Sequence, residues 1–210
     1  MTLTRSTVPL CVIGISVGLI TSHSASPLTL SCGAFAPTAS VKSLQLEFGS
    51  PDVATDSLPL GATEGDMVPA TELFPHDPRR RIAIVWHDTA GRRTPRFVQL
   101  RHGPTDWKTP EGITIGTSLR ELEQLNGRPF HLAGFAFDGS GAVTSWDGGK
   151  LISLSAGSCR LVMFVNSLGR LGPAAQRQYD QVSGDRDFSS GHPAMQALNP
   201  RVSEILLQYQ

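Results

Sequence analysis

The string Leu100-Arg101-His102-Gly103-Pro104-Thr105-Asp106-Trp107 holds the residue types for phosphoryl transfer. An imidazole can take a phosphoryl group, and a neighbouring guanidinium can neutralise phosphate oxygens. His102 and Arg101 are therefore the catalytic candidates. A second histidine would have to come from His192, which Pro193 follows directly. The context reads more simply as a strand end entering a loop. Metal chemistry has little to build on. His23, His76, His87, His102, His131 and His192 include no pair four residues apart, and none neighbours a cysteine. Asp138-Gly139-Ser140-Gly141 offers oxygen atoms but lacks the later acidic residue of a calcium loop, so it reads as a hairpin turn. A Ser/His/Asp triad can assemble in space, yet no Gly-x-Ser-x-Gly elbow points to one. The expectation is no metal and no cofactor.

The cysteines carry different chemistry. Cys11 lies in an apolar run, Val8 to Ile20, preceded by Arg5 and followed by small and polar residues up to Ser26. That run is too short to cross a bilayer and fits the core of a secretory signal. Residues 1–25 are read as a signal peptide, with cleavage after Ser24 or Ala25. An uncleaved anchor is the rival reading. Cys32 and Cys159 remain, and an even pair in an exported chain suggests a disulfide. The competing role for Cys32 is lipid attachment. Thr29-Leu30-Ser31 before it lacks the aliphatic residue expected three positions upstream.

Trp86, Trp107 and Trp146 are the candidates for a binding surface, because tryptophan is enriched at interface hot spots. It is equally at home in cores. Arg79-Arg80-Arg81 could join Arg92, Arg93 and Arg96 in a positive patch, although a solvated strand entry explains the run as well.

These side chains must be positioned by elements. Gly116 to Gly127 carries the start and stop signals of a helix. Ser118 and Glu121 make a capping box, Leu119, Leu122 and Leu125 make an apolar stripe, and Gly127 and Pro129 end it. Strands follow at Phe130–Phe137, Ala142–Trp146, Lys150–Leu154 and Arg160–Val165, separated by Gly-rich turns. A fainter copy precedes this unit. Val41 and Leu44 begin a helix, Phe48-Gly49-Ser50-Pro51 ends it, and strands lie at Arg81–Trp86 and Arg96–Arg101. Residues 52–80 read as a long irregular insertion. Near the C-terminus, residues 183–190 read as loop, 193–198 as a helical turn, and 202–209 as a last strand with a helix as competitor. The expected fold is α+β: two tandem helix-plus-antiparallel-meander units packed as one body. Their spans are 26–110 and 111–210.

Composition limits the partners. The chain has 210 residues, 18 Lys+Arg and 18 Asp+Glu, so it lacks the basic excess of a nucleic-acid binder. Its 21 Gly and 15 Pro favour sheets and turns over a helical bundle. After the signal no further membrane span is expected.

The segment Glu111 to Phe130, the run Gly134-Phe135-Ala136-Phe137-Asp138-Gly139-Ser140-Gly141, Leu73 to Arg80 and Cys159-Arg160-Leu161 together resemble a group of exported bacterial proteins of unknown function. That resemblance implies location and fold, and carries no activity. In architecture alone, the helix-then-meander units look like the modules of β-lactamase inhibitor protein and of small outer-membrane assembly lipoproteins. The Arg101-His102-Gly103 turn resembles that of histidine phosphatases, but their motif opens a helix-rich α/β domain, and here mostly meander follows. The resulting expectation is an exported, non-enzymatic binding module of the periplasm or the extracellular space. Its partner would be an envelope or extracellular protein, and the chain itself a monomer. A histidine phosphatase or an unrecognised hydrolase is the alternative.

Overall fold

A computed structural model describes residues 28–33, 35–59, 67–101, 103–137, 139–155, 157–167 and 169–209. Residues 1–25, read as a signal peptide, and His102 lie outside them. The fold is α+β.

The two expected helices are present. Helix α1 spans Val41–Phe48, and helix α2 spans Leu119–Asn126. The Ser118 hydroxyl accepts from Glu121 N, and Glu121 answers by accepting from Ser118 N at 2.7 Å. Gly127 ends the helix at φ 80, a left-handed conformation that glycine adopts without a Cβ penalty. In α1, Ser40 and Ser43 form the same reciprocal box. The α2 stripe differs from expectation at its last position. Leu119 and Leu122 are fully buried, but Leu125 is 37% exposed and Asn126 takes the buried place. The buried positions thus run 119, 122 and 126, which keeps them on one face at 3.6 residues per turn.

The main sheet has six strands in the order β2-β3-β4-β5-β11-β9. Their spans are β2 Val53–Pro59, β3 Met67–Leu73, β4 Ile82–Asp88, β5 Arg93–Leu100, β9 Cys159–Asn166 and β11 Arg201–Tyr209, all paired antiparallel. The segment 52–80, expected to be irregular, therefore contributes two strands. Val53-Ala54-Thr55 and Val68 to Leu73 are β-prone, and Pro69 sits where its missing N–H is not needed. A second sheet, β10-β7-β8, joins Asp187–Ser189, His131–Ala133 and Val143–Ser145. A short parallel pair holds the N-terminal arm: β1 Leu28–Thr29 lies beside β6 Trp107–Lys108.

Two further expectations are corrected. The strand expected over Phe130–Phe137 is only three residues long, and Phe135 makes a lone parallel bridge to Ser183. The strand expected at Lys150–Leu154 is a 3-10 helix, Lys150–Ser155. Its apolar run fits both readings, but Leu151 and Leu154 are buried three residues apart, which is the 3-10 repeat. Helix α3, Pro173–Gln181, is an additional element with Pro173 in its first turn, and β10 forms within the segment 183–190 expected to be loop. Helix α4, Pro193–Leu198, and the final strand are as expected.

The two sheets meet at one bridge, Ala142 to Phe164, where Val165 N donates to Gly141 O at 2.9 Å. Gly141 is required there, since a Cβ would lie 1.9 Å from Val165 O. The core lies on one side of the six-stranded sheet. Leu73, Ile82, Ile84, Val98, Leu100, Leu161, Met163, Val165, Ile205 and Leu207 join Leu44, Leu119 and Leu122 of the helices in a single cluster. Cys32 and Cys159 form a disulfide, with Cα atoms 6.2 Å apart and 127 positions between them in sequence. It links the N-terminal arm to the first residue of β9. No helix among the described residues is long and apolar enough to cross a membrane.

Candidate functional site

Strand alternation sends every second residue of the main sheet away from the core. Strand pairing arranges these residues in rows. One row is Asp56, Ala70, Val85, Phe97, Gln208 and Arg160. The next is Ala54, Glu72, Ala83, Gln99, Leu206 and Val162. Ala70, Ala83 and Val85 are buried, whereas Phe97, Leu206, Val162 and Phe164 stay half-buried. The partly accessible large apolar groups of this outer face thus lie on its β5-β11-β9 half.

A charged network crosses it. Glu204 receives Gln99 Nε2 at 2.6 Å and pairs with Arg101 at 3.0 Å. On β3, Glu72 pairs with Arg81 at 3.2 Å. Both carboxylates are mostly covered, with side-chain exposures of 13% and 16%, while Arg101 remains 54% exposed. This half of the face thus sets half-buried aromatic and aliphatic groups beside a paired polar network.

The sequence-selected residues fall elsewhere. Trp86, Trp107 and Trp146 are 2%, 1% and 3% exposed, so the ring surface a partner would need is already used by the core. Each has a structural bond or packing partner. Trp86 Nε1 donates to the Thr71 hydroxyl at 2.9 Å, and Trp107 Nε1 donates to Arg80 O at 2.6 Å. Trp107 also packs with Phe35, Phe48 and Phe74, and Trp146 lies 5.0 Å from Phe130. Arg101, the partner proposed for His102 in phosphate chemistry, is engaged with Glu204.

The basic run does not gather into the patch that six arginines could form. Arg79 pairs with Asp106, Arg80 lies over the Phe74 ring, and Arg81 pairs with Glu72. Arg92 and Arg93 sit at the other end of β4, and seven strand residues separate the groups by roughly 20 Å. Arg93 is itself held by Asp88 at 2.9 Å. Asp88 is held below the usual carboxylate range, first by the Gly91 backbone N–H and then by Arg93.

Sequence reasoning missed a polar chain on the smaller sheet. His131 Nδ1 lies 2.7 Å from Asp147 Oδ2, and the Ser145 hydroxyl donates to Asp147 Oδ1 at 2.6 Å. The Asp147 carboxyl is kept below its ordinary range, mainly by Ser145 and secondly by His131. The carboxylate stands between serine and histidine, so the imidazole does not face the Ser145 hydroxyl as a general base would. The arrangement orients His131 without activating Ser145. Its sequence signal was only the pairing of position 131 with 145, which nothing in the spacing announces. Among the described residues, no three His, Cys, Asp or Glu side chains come together as a metal site. No family model, curated protein or solved structure matches the chain.

Proposed function

We propose that the chain is an exported, non-enzymatic module that binds another protein in the cell envelope or outside the cell. The observation that carries this reading is the outer face of the β5-β11-β9 strands. There Phe97, Val162, Phe164 and Leu206 are half-buried beside the Gln99–Glu204–Arg101 network. The disulfide fits an oxidising compartment. We read the architecture as two tandem helix-plus-meander units. In support, α1 leads into β2-β3-β4-β5, and α2 leads into β7 and β8, with β9 reached through the Ala142–Phe164 bridge and β11 beside it. On this reading the last strands of the two meanders, β5 and β11, pair with each other.

The test uses mature protein as bait against envelope extract, compared with Phe164→Glu and Leu206→Glu baits. A specific partner should be lost from both variants while their thermal melts stay close to wild type. Retention by both variants would overturn the reading. Mass spectrometry of the exported protein should place its N-terminus after Ser24 or Ala25.

A further inference from the structure

One end of the six-stranded sheet continues into β8 through the Ala142–Phe164 bridge. The other end is β2, and among the described residues no strand pairs with its outer side. β2 holds seven consecutive pairs with β3 and no bulge. Thr55, Asp56 and Ser57 are exposed. Proteins usually guard such edges with charges, above all lysine, or with proline, bulges or brevity. β2 has no lysine and no bulge, and its guards are Asp56 and the terminal Pro59.

The register identifies the outward backbone groups. Ser57 pairs with Pro69, which has no N–H to give, so these two residues do not exchange ladder bonds. Ser57 N instead donates to the Asp56 carboxylate at 2.8 Å. Backbone groups alternate along a strand, so Val53, Thr55 and Ser57 present theirs to the outer edge. Two outward N–H groups are thus occupied, that of Ser57 by Asp56 and that of Val53 by Ser50 O, and the N–H of Thr55 and the carbonyls remain as a template for an added strand.

Charge decides which strand could dock. Asp56 is the only charged residue of β2, and it lies in the outer-face row with Ala70 and Val85. On the other side of the strand the Arg92 guanidinium rests on the Thr55 hydroxyl. A second copy aligned on Asp56 would set two carboxylates directly opposite, which is destabilising. An added strand with a basic residue opposite Asp56 and an acidic neighbour toward Arg92 would be complementary on both sides.

We propose that β2 is the docking edge for an extended segment of another protein that carries adjacent basic and acidic residues. The segment adds a strand to the sheet beside the outer face. Backbone bonds hold it, and the Asp56 and Arg92 side chains select it. This inference rests on the binding-module reading above.

The experiment selects a displayed library of random peptides on the mature protein. Enriched peptides should carry Lys or Arg next to Asp or Glu among β-prone residues. Their affinity should fall about tenfold or more on Asp56→Lys and on Arg92→Glu, at unchanged melting temperature. Exchanging the peptide's basic residue for Glu should restore binding to Asp56→Lys, and hydrogen exchange at the Thr55 amide should slow when peptide is bound. Equal affinity for wild type and Asp56→Lys overturns the edge proposal. If such peptides lose affinity on Phe164→Glu instead, the binding-module reading stands without it. If no peptide is enriched, the edge proposal falls, and the binding-module reading is decided separately by the Phe164→Glu and Leu206→Glu baits. A wild-type dimer on gel filtration that Asp56→Lys disrupts would make the occupant a second copy and overturn the stated partner.

Discussion

Asn126 does more for the second half of the chain than any residue the sequence made conspicuous. It is 1% exposed, and its amide donates to Arg128 O and Trp146 O, both at 3.0 Å. Its carbonyl accepts from Leu151 N at 3.1 Å. One side chain therefore joins the end of α2, the turn after β8 and the 3-10 helix. Replacing it with Ala leaves two buried backbone groups, Trp146 O and Leu151 N, and the part-buried Arg128 O without that partner, and each unmet buried group costs about 1–3 kcal/mol. Asn126→Ala should destabilise by about 3 kcal/mol or more, read as a lower urea midpoint. A change within about 0.5 kcal/mol would show that water replaces the amide. This role was not legible beforehand. Asparagine before a Gly-x-Pro helix end reads as a capping residue, and its partners lie up to 25 positions away. The burial of the three tryptophans was not legible for a related reason. A residue type states what a side chain can do, whereas burial is decided by strands distant in sequence.

At the scale of elements, local signals were most reliable where they were redundant. Helix α2 had a cap, a stripe and a stop, and all of its boundaries are where those signals put them. Its stripe also makes a sharp comparison. Leu122→Ala should cost about 2–5 kcal/mol, because Leu122 is fully buried. Leu125→Gln should stay within about 0.5 kcal/mol, because Leu125 is the exposed one of the three leucines. Equal losses would contradict the observed face. The cap has a pH signature. Glu121 is held below its ordinary value of 4.5, first by the Ser118 backbone N–H and then by the Ser118 hydroxyl. A lowered folded-state value means the unfolded chain binds the proton more readily. The contribution is therefore present above 4.5 and is lost as pH falls through the lowered folded value. The stability difference between wild type and Glu121→Ala should be constant near neutrality and vanish in acid. A difference that persists at the lowest pH would show that the carboxylate is not its source. Elements with single or mixed signals were misread. Lys150–Leu154 had apolar content without a decisive period, and β2 and β3 were hidden by the Pro, Gly and acidic residues around them. Strand β9 concealed the candidate site itself. Val162 and Phe164 are apolar on its outer side, so the run Leu161 to Val165 reads as a strand buried on both faces.

At the scale of the whole molecule, described segments from early and late in the chain meet on the six-stranded sheet. β11, the last strand, lies between β5 and β9 and so joins the early and late halves of the chain. The N-terminal arm enters the same core through Leu30 and Phe35, which are 0% and 1% exposed. Tyr209 at the end of β11 donates its hydroxyl to Phe35 O, and burial pushes its ionisation upward. The Cys32–Cys159 bond therefore spans two segments that noncovalent contacts already bring together. Its main effect should fall on the unfolded chain. With 127 positions between the cysteines, chain entropy gives ~5 kcal/mol of stabilisation. The Cys32→Ala/Cys159→Ala variant should keep the folded circular dichroism spectrum, because Leu30, Phe35 and Tyr209 still hold the arm. It should nevertheless unfold at a clearly lower urea concentration, with unchanged slope if the denatured state stays equally open. A loss far below this value would mean that the arm and β11 remain associated in the denatured state. Loss of the folded spectrum would mean instead that the covalent link is needed to place the arm against Trp107.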